Sequence, residues 1–370
     1  PSSAASDVYK RQTLMRVLVG MSGGVDSSVS AALLLQEGYE VEGAFMKNWE
    51  DDDGTPLCTA KEDFMDAAKV ADQLNIKLHH VNFSKKYKSK VFNKFLMDLE
   101  KGKTPNPDVL CNQYIKFNEF YKYAIENEFD YIATGHYAGI KEISGLNYLV
   151  KAKDENKDQT YFLCNINQEV LNKTIFPLSE LTKKEVRDIA KSMNLSTFEK
   201  KDSTGICFIG ERPFPSFLEN YIKDKPGKIV CDRGNNIGTH RGLSFYTLGQ
   251  RQGLGIGGLK NYDERPWYVV EKKLSENILV VAQGNDNQKL FEKKLSVNSI
   301  NWICEPNLTK PIKLEAKIRY RQDDQECILS KKGNTFSVEF KKPQRAITPG
   351  QSIVFYQDNV CLGGGEIYKS

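Results

Sequence analysis

The feature that most constrains the fold of this chain is the glycine- and serine-rich string SGGVDSS at residues 22–28. It follows an apolar run at 14–21 that predicts a buried strand, and it precedes a pattern at 29–36 that predicts a helix. Glycines let the backbone approach a ligand closely, and the N–H groups at a helix N-terminus attract anions. The string therefore predicts a loop that holds the phosphate groups of a nucleotide.

The composition of this loop indicates how it would hold a nucleotide. It contains no lysine, so it is not a Walker A motif. Asp26 would repel a phosphate unless Mg²⁺ bridges the two, which predicts a magnesium ion at the site. The alternative is a Gly-Gly turn whose serine or aspartate caps an ordinary helix. The flanking strand and helix favour the nucleotide interpretation.

Strand and helix patterns alternate over the first half of the chain. Strands are predicted at 14–21, 39–46, 78–83 and 131–134, with helices at 29–36, 62–75, 86–101 and 117–128. This alternation is typical of an α/β fold with a doubly wound parallel sheet. After about residue 210 turn signals increase and helices become scarce, which predicts a small mixed α/β central domain.

Short alternating segments recur near the C-terminus, at 313–320, 326–330, 335–340 and 352–356, and turns separate them. This spacing predicts a C-terminal antiparallel β-barrel. A chain of 370 residues is long for one core. We therefore expect a catalytic domain at 13–210, a central domain at 211–285 and the barrel at 286–370, after a non-native extension at 1–12.

The composition excludes some classes of protein. Hydrophobic residues make up 40% of the chain and charged residues 27%, with a net charge of +4. No run of about 18 apolar residues occurs, so no membrane span is predicted. The first residues lack the apolar core of a signal peptide, which favours a cytoplasmic protein. The mildly basic charge permits a nucleic-acid partner without requiring one.

Two of the eight cysteines stand in unusual surroundings. No C-x-x-C motif occurs, so a zinc ribbon or an iron–sulfur cluster is not expected. Cys111 ends the string TPNPDVLC, and a helical pattern beyond it predicts a position near a helix N-terminus, where a thiol pKa falls. Cys207 lies between two glycines in KDSTGICFIG, in a predicted loop. The others are expected to be buried, inert thiols.

Two cysteines in loops framed by glycine or proline, in a chain that also has a phosphate loop, suit sulfur transfer. One thiol can carry a terminal persulfide sulfur, and the other can release that sulfur by attack and leave a disulfide. Cys111 and Cys207 are the candidates for these two roles.

Several strings together resemble a known family. The loop resembles the PP-loop of the ATP pyrophosphatase superfamily, whose fold is adenine nucleotide alpha hydrolase-like. With TPNPDVLCN, ATGHY, KDQTYFL, KDSTGICFIG, YTLGQRQGLGIGG and TPGQ, the chain is similar to bacterial tRNA-specific 2-thiouridylases from about Met15 to the C-terminus. The resemblance implies ATP-dependent adenylation of the C2 oxygen of a wobble uridine. Sulfur would then come from a cysteine persulfide, giving 2-thiouridine, AMP and pyrophosphate.

The resemblance also implies roles for residues at the matching positions. ATP would be held by Gly20, Met21, Ser22, Gly23, Gly24, Val25, Asp26, Ser27, Met46 and Gly135. Cys111 would be the nucleophile and Cys207 the persulfide carrier. The target base would face Asn106, Pro107 and Asp108, of which Asp108 would act as general acid/base or orient the base. Contacts to tRNA would come from His136, Lys157, Asp158, Gln159, Arg319, Tyr320 and Gln351. The partners would be the anticodon arm of tRNA and a persulfide sulfur-donor protein or cysteine desulfurase relay.

The residues alone leave several of these roles open. His136 follows a strand end, where α/β sheets bind ligands, yet a lone histidine is usually structural. Residues 157–159 also read as an ordinary solvated turn. Residues 318–322 are predicted as strand, so that Arg319 and Arg321 share one face suited to phosphate contact or simply to solvent.

Two other classes of function remain at this stage. An amidating ligase or small-molecule adenylating enzyme would use the same loop but would need ammonia delivery rather than paired cysteines. A non-catalytic RNA-binding protein would explain the barrel but neither the phosphate loop nor the cysteine loops.

Overall fold

A computed structural model describes residues 14–50, 60–201, 214–257, 259 and 261–369. The chain forms two compact units that do not follow the chain order. In the described parts, the first unit comprises residues 14–50, 60–85, 115–159 and 168–201. The second unit comprises 86–114, 160–167, 214–257, 259 and 261–369.

The helices and strands are numbered in chain order. The α-helices are α1 Val25–Gln36, α2 Ala60–Leu74, α3 Ser84–Tyr87, α4 Asn93–Glu100, α5 Pro107–Cys111, α6 Phe120–Glu126, α7 Thr160–Leu163, α8 Gln168–Leu171, α9 Lys183–Ser192 and α10 Phe214–Leu218. π-Helical segments occupy Lys88–Phe92 and Asn112–Glu119, and short 3₁₀ turns occupy Leu243–Phe245 and Gln288–Leu290. The strands of the first unit are β1 Arg16–Gly20, β2 Glu40–Lys47, β3 Leu78–Asn82, β4 Tyr131–Thr134, β5 Gly139–Ile143, β6 Leu146–Val150 and β7 Thr174–Ile175. Those of the second are β8 Gly227–Cys231, β9 Asn236–His240, β10 Trp267–Lys273, β11 Ile278–Gln283, β12 Phe291–Trp302, β13 Ile312–Lys317, β14 Gln325–Lys332, β15 Thr335–Arg345, β16 Ser352–Gln357 and β17 Val360–Lys369.

A five-stranded parallel sheet forms the first unit, which confirms the predicted fold class. The strand order is β3-β2-β1-β4-β7, and every neighbouring pair is parallel. The central strand β1 is apolar because it is buried on both faces, and Val17, Leu18 and Val19 have no exposed surface. Helix α1 packs on the sheet through Ala31 and Leu34.

The strand order also locates the place where a ligand binds in such sheets. The chain runs outward from β1 to β2 and β3, then returns to β4 on the other side of β1. Ligands of open α/β sheets bind at the carboxyl ends of the strands where the order reverses. In this sheet that point lies between β1 and β4, and the glycine-rich loop follows β1 directly.

The second unit contains the predicted C-terminal β-barrel. Its antiparallel strands follow the order β12-β15-β14-β13-β16-β17, and pairing of β12 with β17 closes the barrel. The core is filled by inward-facing residues such as Leu314, Val338 and Phe355. Strand β17 contains Gly363, Gly364 and Gly365, where a Cβ atom would overlap or crowd the backbone of neighbouring strands. Because glycine is unfavourable in the interior of a strand, the sequence pattern did not predict this strand.

A smaller mixed sheet precedes the barrel, as predicted for the central domain. The order is β10-β11-β8-β9, in which β8 and β11 are parallel and the other pairs antiparallel. Its core includes Ile229, Val269 and Val281.

The prediction of strand at 318–322 is wrong. Strand β13 ends at Lys317, and a turn follows in which the N–H of Gln322 donates to the carbonyl of Arg319 at 3.2 Å. The side-chain oxygen of Gln322 accepts from the N–H of Ile318 at 3.0 Å. This side chain therefore replaces the backbone carbonyl of a neighbouring strand as the hydrogen-bond partner of Ile318. Arg319 and Arg321 therefore do not share a strand face.

Candidate active site

Two serines of the phosphate loop, which belongs to the first unit, are hydrogen-bonded to each other. The N–H of Ser22 donates to Oγ of Ser27 at 3.1 Å, and the two hydroxyl oxygens lie 3.2 Å apart. Gly24 occupies the position before α1, and no side chain caps the helix there. Because a helix N-terminus without a side-chain cap leaves backbone N–H donors available, the loop presents donors to an anion.

Glycine is required at the second position of the loop. Gly23 has a φ of +76°, and a Cβ atom added there would overlap the carbonyl of Asp63 in α2. A larger residue would therefore meet both backbone strain and a steric clash.

Replacing Gly23 with alanine is expected to destabilise the protein and weaken nucleotide binding. Left-handed strain alone costs about 1–2 kcal/mol, and the overlap with Asp63 adds to it. Gly38→Ala is the matched control, since Gly38 has a φ of +88° and no atom within 4 Å of the added Cβ. Urea unfolding and calorimetric ATP titration of both variants measure the difference. Equal losses in the two variants would contradict the steric argument.

Residues from β2 and the end of β4 reach the same loop. A Cβ atom on Gly135 would lie 2.8 Å from the backbone nitrogen of Ser27, and one on Gly20 would lie 3.1 Å from Cε of Met46. The structure thus gathers the residues that the sequence analysis assigned to ATP. Their role in ATP binding stays a prediction.

Asp26 has partners that the sequence analysis missed. Nζ of Lys183 donates to its two carboxylate oxygens at 2.7 and 2.8 Å, and the hydroxyl of Tyr137 donates at 2.9 Å. An ammonium group thus neutralises the acid that seemed out of place beside a phosphate.

A capping box brings Lys183 to the first position of α9. The N–H of Glu185 donates to the hydroxyl of Thr182 at 3.3 Å, and the N–H of Thr182 donates to the Glu185 carboxylate at 2.6 Å. These bonds lower the pKa of Glu185 to about 2. A lysine at a helix N-terminus faces the positive end of the dipole, so its pairing with Asp26 compensates an unfavourable position. The Thr-x-x-Glu pattern was the available sequence signal for the start of this helix.

His136 is buried in an aromatic setting. Its side chain is 8% exposed, Nδ1 lies 2.8 Å from the hydroxyl oxygen of Thr134, and its ring contacts Phe117 and Phe176. Burial, and then the charge of Lys116, hold the pKa of His136 well below its usual range. The ring is therefore neutral at physiological pH.

Residues 157–159 are not simply a solvated turn. Asp158 is only 5% exposed, and its carboxylate accepts from the N–H of Ala152 at 3.2 Å. Gln159 binds the backbone of Tyr137 twice, through its side-chain oxygen at 3.0 Å and its own N–H at 2.8 Å. This segment holds Tyr137 in place, and Tyr137 in turn contacts Asp26. Contact of Lys157, Asp158 and Gln159 with tRNA stays a prediction.

In the second unit, Cys111 lies one full turn into its helix. Asn106 caps α5, its side-chain oxygen accepting from the N–H groups of Asp108 at 3.0 Å and Val109 at 3.3 Å, and Pro107 takes the first helical position. Cys111 is therefore the fifth residue of α5, about one turn further from the helix N-terminus than predicted, because this cap starts the helix earlier. The dipole effect falls off within the first turn. Cys111 is 1% exposed.

The segment before α5 is tied to the rest of the second unit. The N–H of Thr104 donates to the carbonyl of Pro349 at 2.9 Å, and the side chain of Gln351 donates to the carbonyl of Thr104 at 2.6 Å. The Thr104 hydroxyl lies 3.3 Å from that of Thr247. Gln351, expected to contact tRNA, thus also fixes the approach to Asn106.

Arg319 and Tyr320 lie together on the turn after β13. The Tyr320 ring packs on Phe162 with centroids 4.3 Å apart, and Arg319 donates to the carbonyl of Ala346 at 3.1 Å. Their predicted contact with tRNA stays a prediction.

The predicted persulfide carrier, Cys207, lies outside the described residues, as do Cys58 and the extension at 1–12. No disulfide joins the described cysteines, which are Cys111, Cys164, Cys231, Cys304, Cys327 and Cys361. Burial raises the pKa of Cys164 to about 12, which makes it inert. Within the part of the chain that the structure describes, no helix has the length and hydropathy needed to cross a membrane.

The parallel sheet, the loop at the end of its central strand and the C-terminal barrel define an α/β protein with a phosphate-loop site. Family descriptions match consecutive parts of the chain: a tRNA methyl transferase HUP domain at 15–211, a tRNA methyl transferase PRC-barrel domain at 215–283 and an aminomethyltransferase β-barrel domain at 292–367.

Relatives match over nearly their whole length. The tRNA-specific 2-thiouridylase MnmA of Stutzerimonas stutzeri is 55% identical over 355 residues, which cover 96% of this chain and 95% of that protein. The MnmA proteins of Pseudomonas fluorescens Pf-5 and Pseudomonas aeruginosa UCBPP-PA14 are each 54% identical, covering 98% and 95% of this chain and 96% and 94% of those proteins. The chain therefore belongs to the tRNA-specific 2-thiouridylase (MnmA) family of tRNA-modifying sulfurtransferases.

Proposed function

We propose that this protein converts the wobble uridine of tRNA anticodons to 2-thiouridine in an ATP-dependent reaction. The observation that carries the proposal is the combination, in one chain, of the phosphate loop after β1 with Cys111 on the Asn106-capped helix α5. The relatives named 2-thiouridylases share more than half of its residues over almost the full length.

ATP would bind along the loop after β1. The close approach of the backbone at Gly23 and the uncapped first turn of α1 suit a polyphosphate, with Met46 and Gly135 beside it. Asp26 supplies one carboxylate, which fits Mg²⁺, since this ion usually takes one or two carboxylates and completes its shell with phosphate and water oxygens. Mg²⁺ would neutralise charge that develops on the phosphates.

Lys183 gains a role in this arrangement. If Asp26 held Mg²⁺, the ammonium group of Lys183 would give up part of its ion pair with Asp26. It would then donate to a phosphate oxygen and stabilise the charge that develops as pyrophosphate leaves. Tyr137 would orient the Asp26 carboxylate through its 2.9 Å hydrogen bond.

Adenylation makes the uridine oxygen a leaving group. The target base leaves the anticodon stack and lies against Asn106, Pro107 and Asp108. Its O2 attacks the α-phosphorus of ATP, the α–β bridging bond breaks and pyrophosphate leaves. Asp108 would act as general acid/base or orient the base. The bonds of Thr104 to Pro349 and Gln351 would keep this segment rigid.

Sulfur would arrive as a persulfide on Cys207 from a donor protein or a cysteine desulfurase relay. In one route the terminal sulfur attacks C2, AMP leaves with the former O2, and Cys111 then attacks the Cys207 sulfur to free the thiocarbonyl. In the other route, Cys111 first attacks Sγ of Cys207 and releases the terminal sulfur as hydrosulfide. The hydrosulfide then attacks C2 and expels AMP. Both routes leave a Cys111–Cys207 disulfide, which a thiol reductant of the cell reduces. This requirement favours a cytoplasmic enzyme.

The tRNA would contact both units. His136, Lys157, Asp158 and Gln159 belong to the first unit, and Arg319, Tyr320 and Gln351 to the second. In this proposal residues 13–210 form the catalytic domain, 211–285 the central domain and 286–370 a barrel that contacts the anticodon arm.

Mass spectrometry of nucleosides tests the proposal. Unmodified tRNA is incubated with the protein, Mg-ATP and a persulfide donor, then digested. We expect 2-thiouridine that depends on ATP, with AMP formed in equal amount. AMP formed with small molecules instead of tRNA would favour an adenylating ligase, and tRNA binding without any AMP would favour a non-catalytic RNA-binding protein.

A further inference from the structure

Two arginines of the second unit lie side by side although they are distant in the sequence. A Cβ atom placed on Gly249 would be 3.2 Å from Nη1 of Arg345 and 3.8 Å from Nη2 of Arg319. The two guanidinium groups therefore approach the same point beside Gly249, whose φ is +80°. A side chain at this position would also lie 2.7 Å from Cβ of Ala346, so glycine is what lets the arginines come this close. Burial, and then the charge of Arg345, lower the pKa of Arg319.

No acid compensates this pair. Arg241 of the same unit forms salt bridges with Glu219 at 2.6 Å and Asp224 at 2.8 Å, whereas neither Arg319 nor Arg345 forms one with any residue that the structure describes. Adjacent like charges without a counter-ion are unfavourable unless an anion joins them.

Both side chains are nevertheless held in position. Arg319 donates to the carbonyl of Ala346 at 3.1 Å, and the guanidinium of Arg345 lies over the ring of Tyr268, 5.1 Å from its centroid. Each group thus has a neutral partner that orients it and leaves its charge uncompensated. Planar guanidinium groups fit phosphate oxygens through paired N–H donors.

We propose that Arg319 and Arg345 together bind one phosphate group of the tRNA backbone. The proposal rests on tRNA being the substrate, and it adds Arg345, oriented by Tyr268, to the residues that bind it. Phosphate contacts fix the position of a nucleic acid rather than read its bases.

The pair is joined to the segment predicted to receive the target base. The N–H of Gly249 donates to the carbonyl of Val269 at 2.8 Å, and Thr247, two residues earlier, lies 3.3 Å from the Thr104 hydroxyl. Thr104 precedes the cap residue Asn106 by two positions. A phosphate held by the arginines would therefore set the register of the anticodon strand relative to α5.

The test is the salt dependence of tRNA binding. The affinity of an unmodified tRNA transcript is measured by fluorescence anisotropy over a series of KCl concentrations. For Arg345→Gln we expect about tenfold weaker binding at moderate salt and a shallower slope of log K against log salt. The double variant R319Q/R345Q should lose no more than about 0.7 in slope, the value for one single-strand phosphate contact.

Three comparisons keep the result interpretable. Arg241→Gln removes an equal but compensated charge and should leave slope and affinity near wild type. Arg345→Lys keeps the positive charge but removes the paired N–H donors of the guanidinium group. It should therefore weaken tRNA binding without changing the slope of log K against log salt. ATP affinity should be unchanged in every variant, which separates a tRNA phosphate from a nucleotide phosphate.

The outcomes are distinct. If Arg345→Gln and Arg345→Lys both bind tRNA like Arg241→Gln, the phosphate assignment is wrong. A slope loss of about 1.4 in the double variant would indicate two separate phosphates and overturn the single-phosphate arrangement. If the wild-type protein itself fails to bind tRNA, the proposed function fails instead.

Discussion

Replacing Cys111 with alanine is expected to abolish formation of 2-thiouridine while adenylation of the tRNA still releases pyrophosphate. The substitution removes the thiol that would attack the Cys207 sulfur, but it leaves the phosphate loop of the first unit untouched. Cys207→Ser should likewise abolish persulfide-driven thiolation and leave the binding of ATP and tRNA intact. Nucleoside mass spectrometry measures thiolation, and quantification of pyrophosphate on the same samples measures adenylation.

Cys304→Ala is the matched control for these variants. Cys304 is a partly exposed cysteine of the second unit that forms no disulfide and has no proposed role in sulfur transfer. We expect wild-type thiolation from this variant. If Cys207→Ser produced thiolated tRNA at the wild-type rate, Cys207 would not be the sulfur carrier. If Cys111→Ala did so, Cys111 would have no part in either route of sulfur transfer.

Lys183→Met should lower the rate of AMP formation by about 100-fold, the usual cost of removing one donor that stabilises developing charge. The variant also leaves Asp26 without its 2.7 Å ammonium partner, so Mg-ATP affinity is expected to change less than the rate. Quenched-flow measurement of AMP with saturating tRNA gives the rate, and calorimetry gives the ATP affinity.

Lys77→Met provides the comparison for Lys183. Lys77 also pairs with a carboxylate, Glu42 at 3.3 Å, but it is an exposed lysine on the approach to β3. The control should form AMP at the wild-type rate. A normal rate from Lys183→Met would mean that the lysine only neutralises Asp26, and a loss of tRNA binding would point to a general structural defect.

Local sequence patterns were sufficient for the parallel sheet. Strand β1 is an unbroken apolar run because both of its faces are buried, and such runs are readable without knowledge of their partners. The positions of β2, β3, β4, α1 and α2 followed in the same way, although α1 begins at Val25, four residues before its apolar pattern. The short strands β5 to β7 and the helices α8 and α9 of the same unit were not predicted. The barrel was predicted from alternation, yet β17 was missed because close backbone contact requires glycines there.

Local patterns failed where a side chain replaced a backbone partner. Residues 318–322 alternate like a strand, but Gln322 binds the N–H of Ile318 and turns the chain. In the same way, the Asn106 cap and Pro107 start α5 early and put Cys111 inside the helix. Such competition between a side chain and the backbone ladder depends on a geometry that periodicity does not reveal.

The sequence by itself determined the chemical groups of this protein: a phosphate loop without lysine, a carboxylate within it, and cysteines suited to sulfur transfer. Only the tertiary structure decided which groups meet. Lys183 reaches Asp26 across 157 positions of the chain, and Arg345 at the end of β15 approaches Arg319 on the turn after β13. The physical reason is that these contacts follow from the packing of whole helices and strands, whereas sequence periodicity reports only which face of each element is buried.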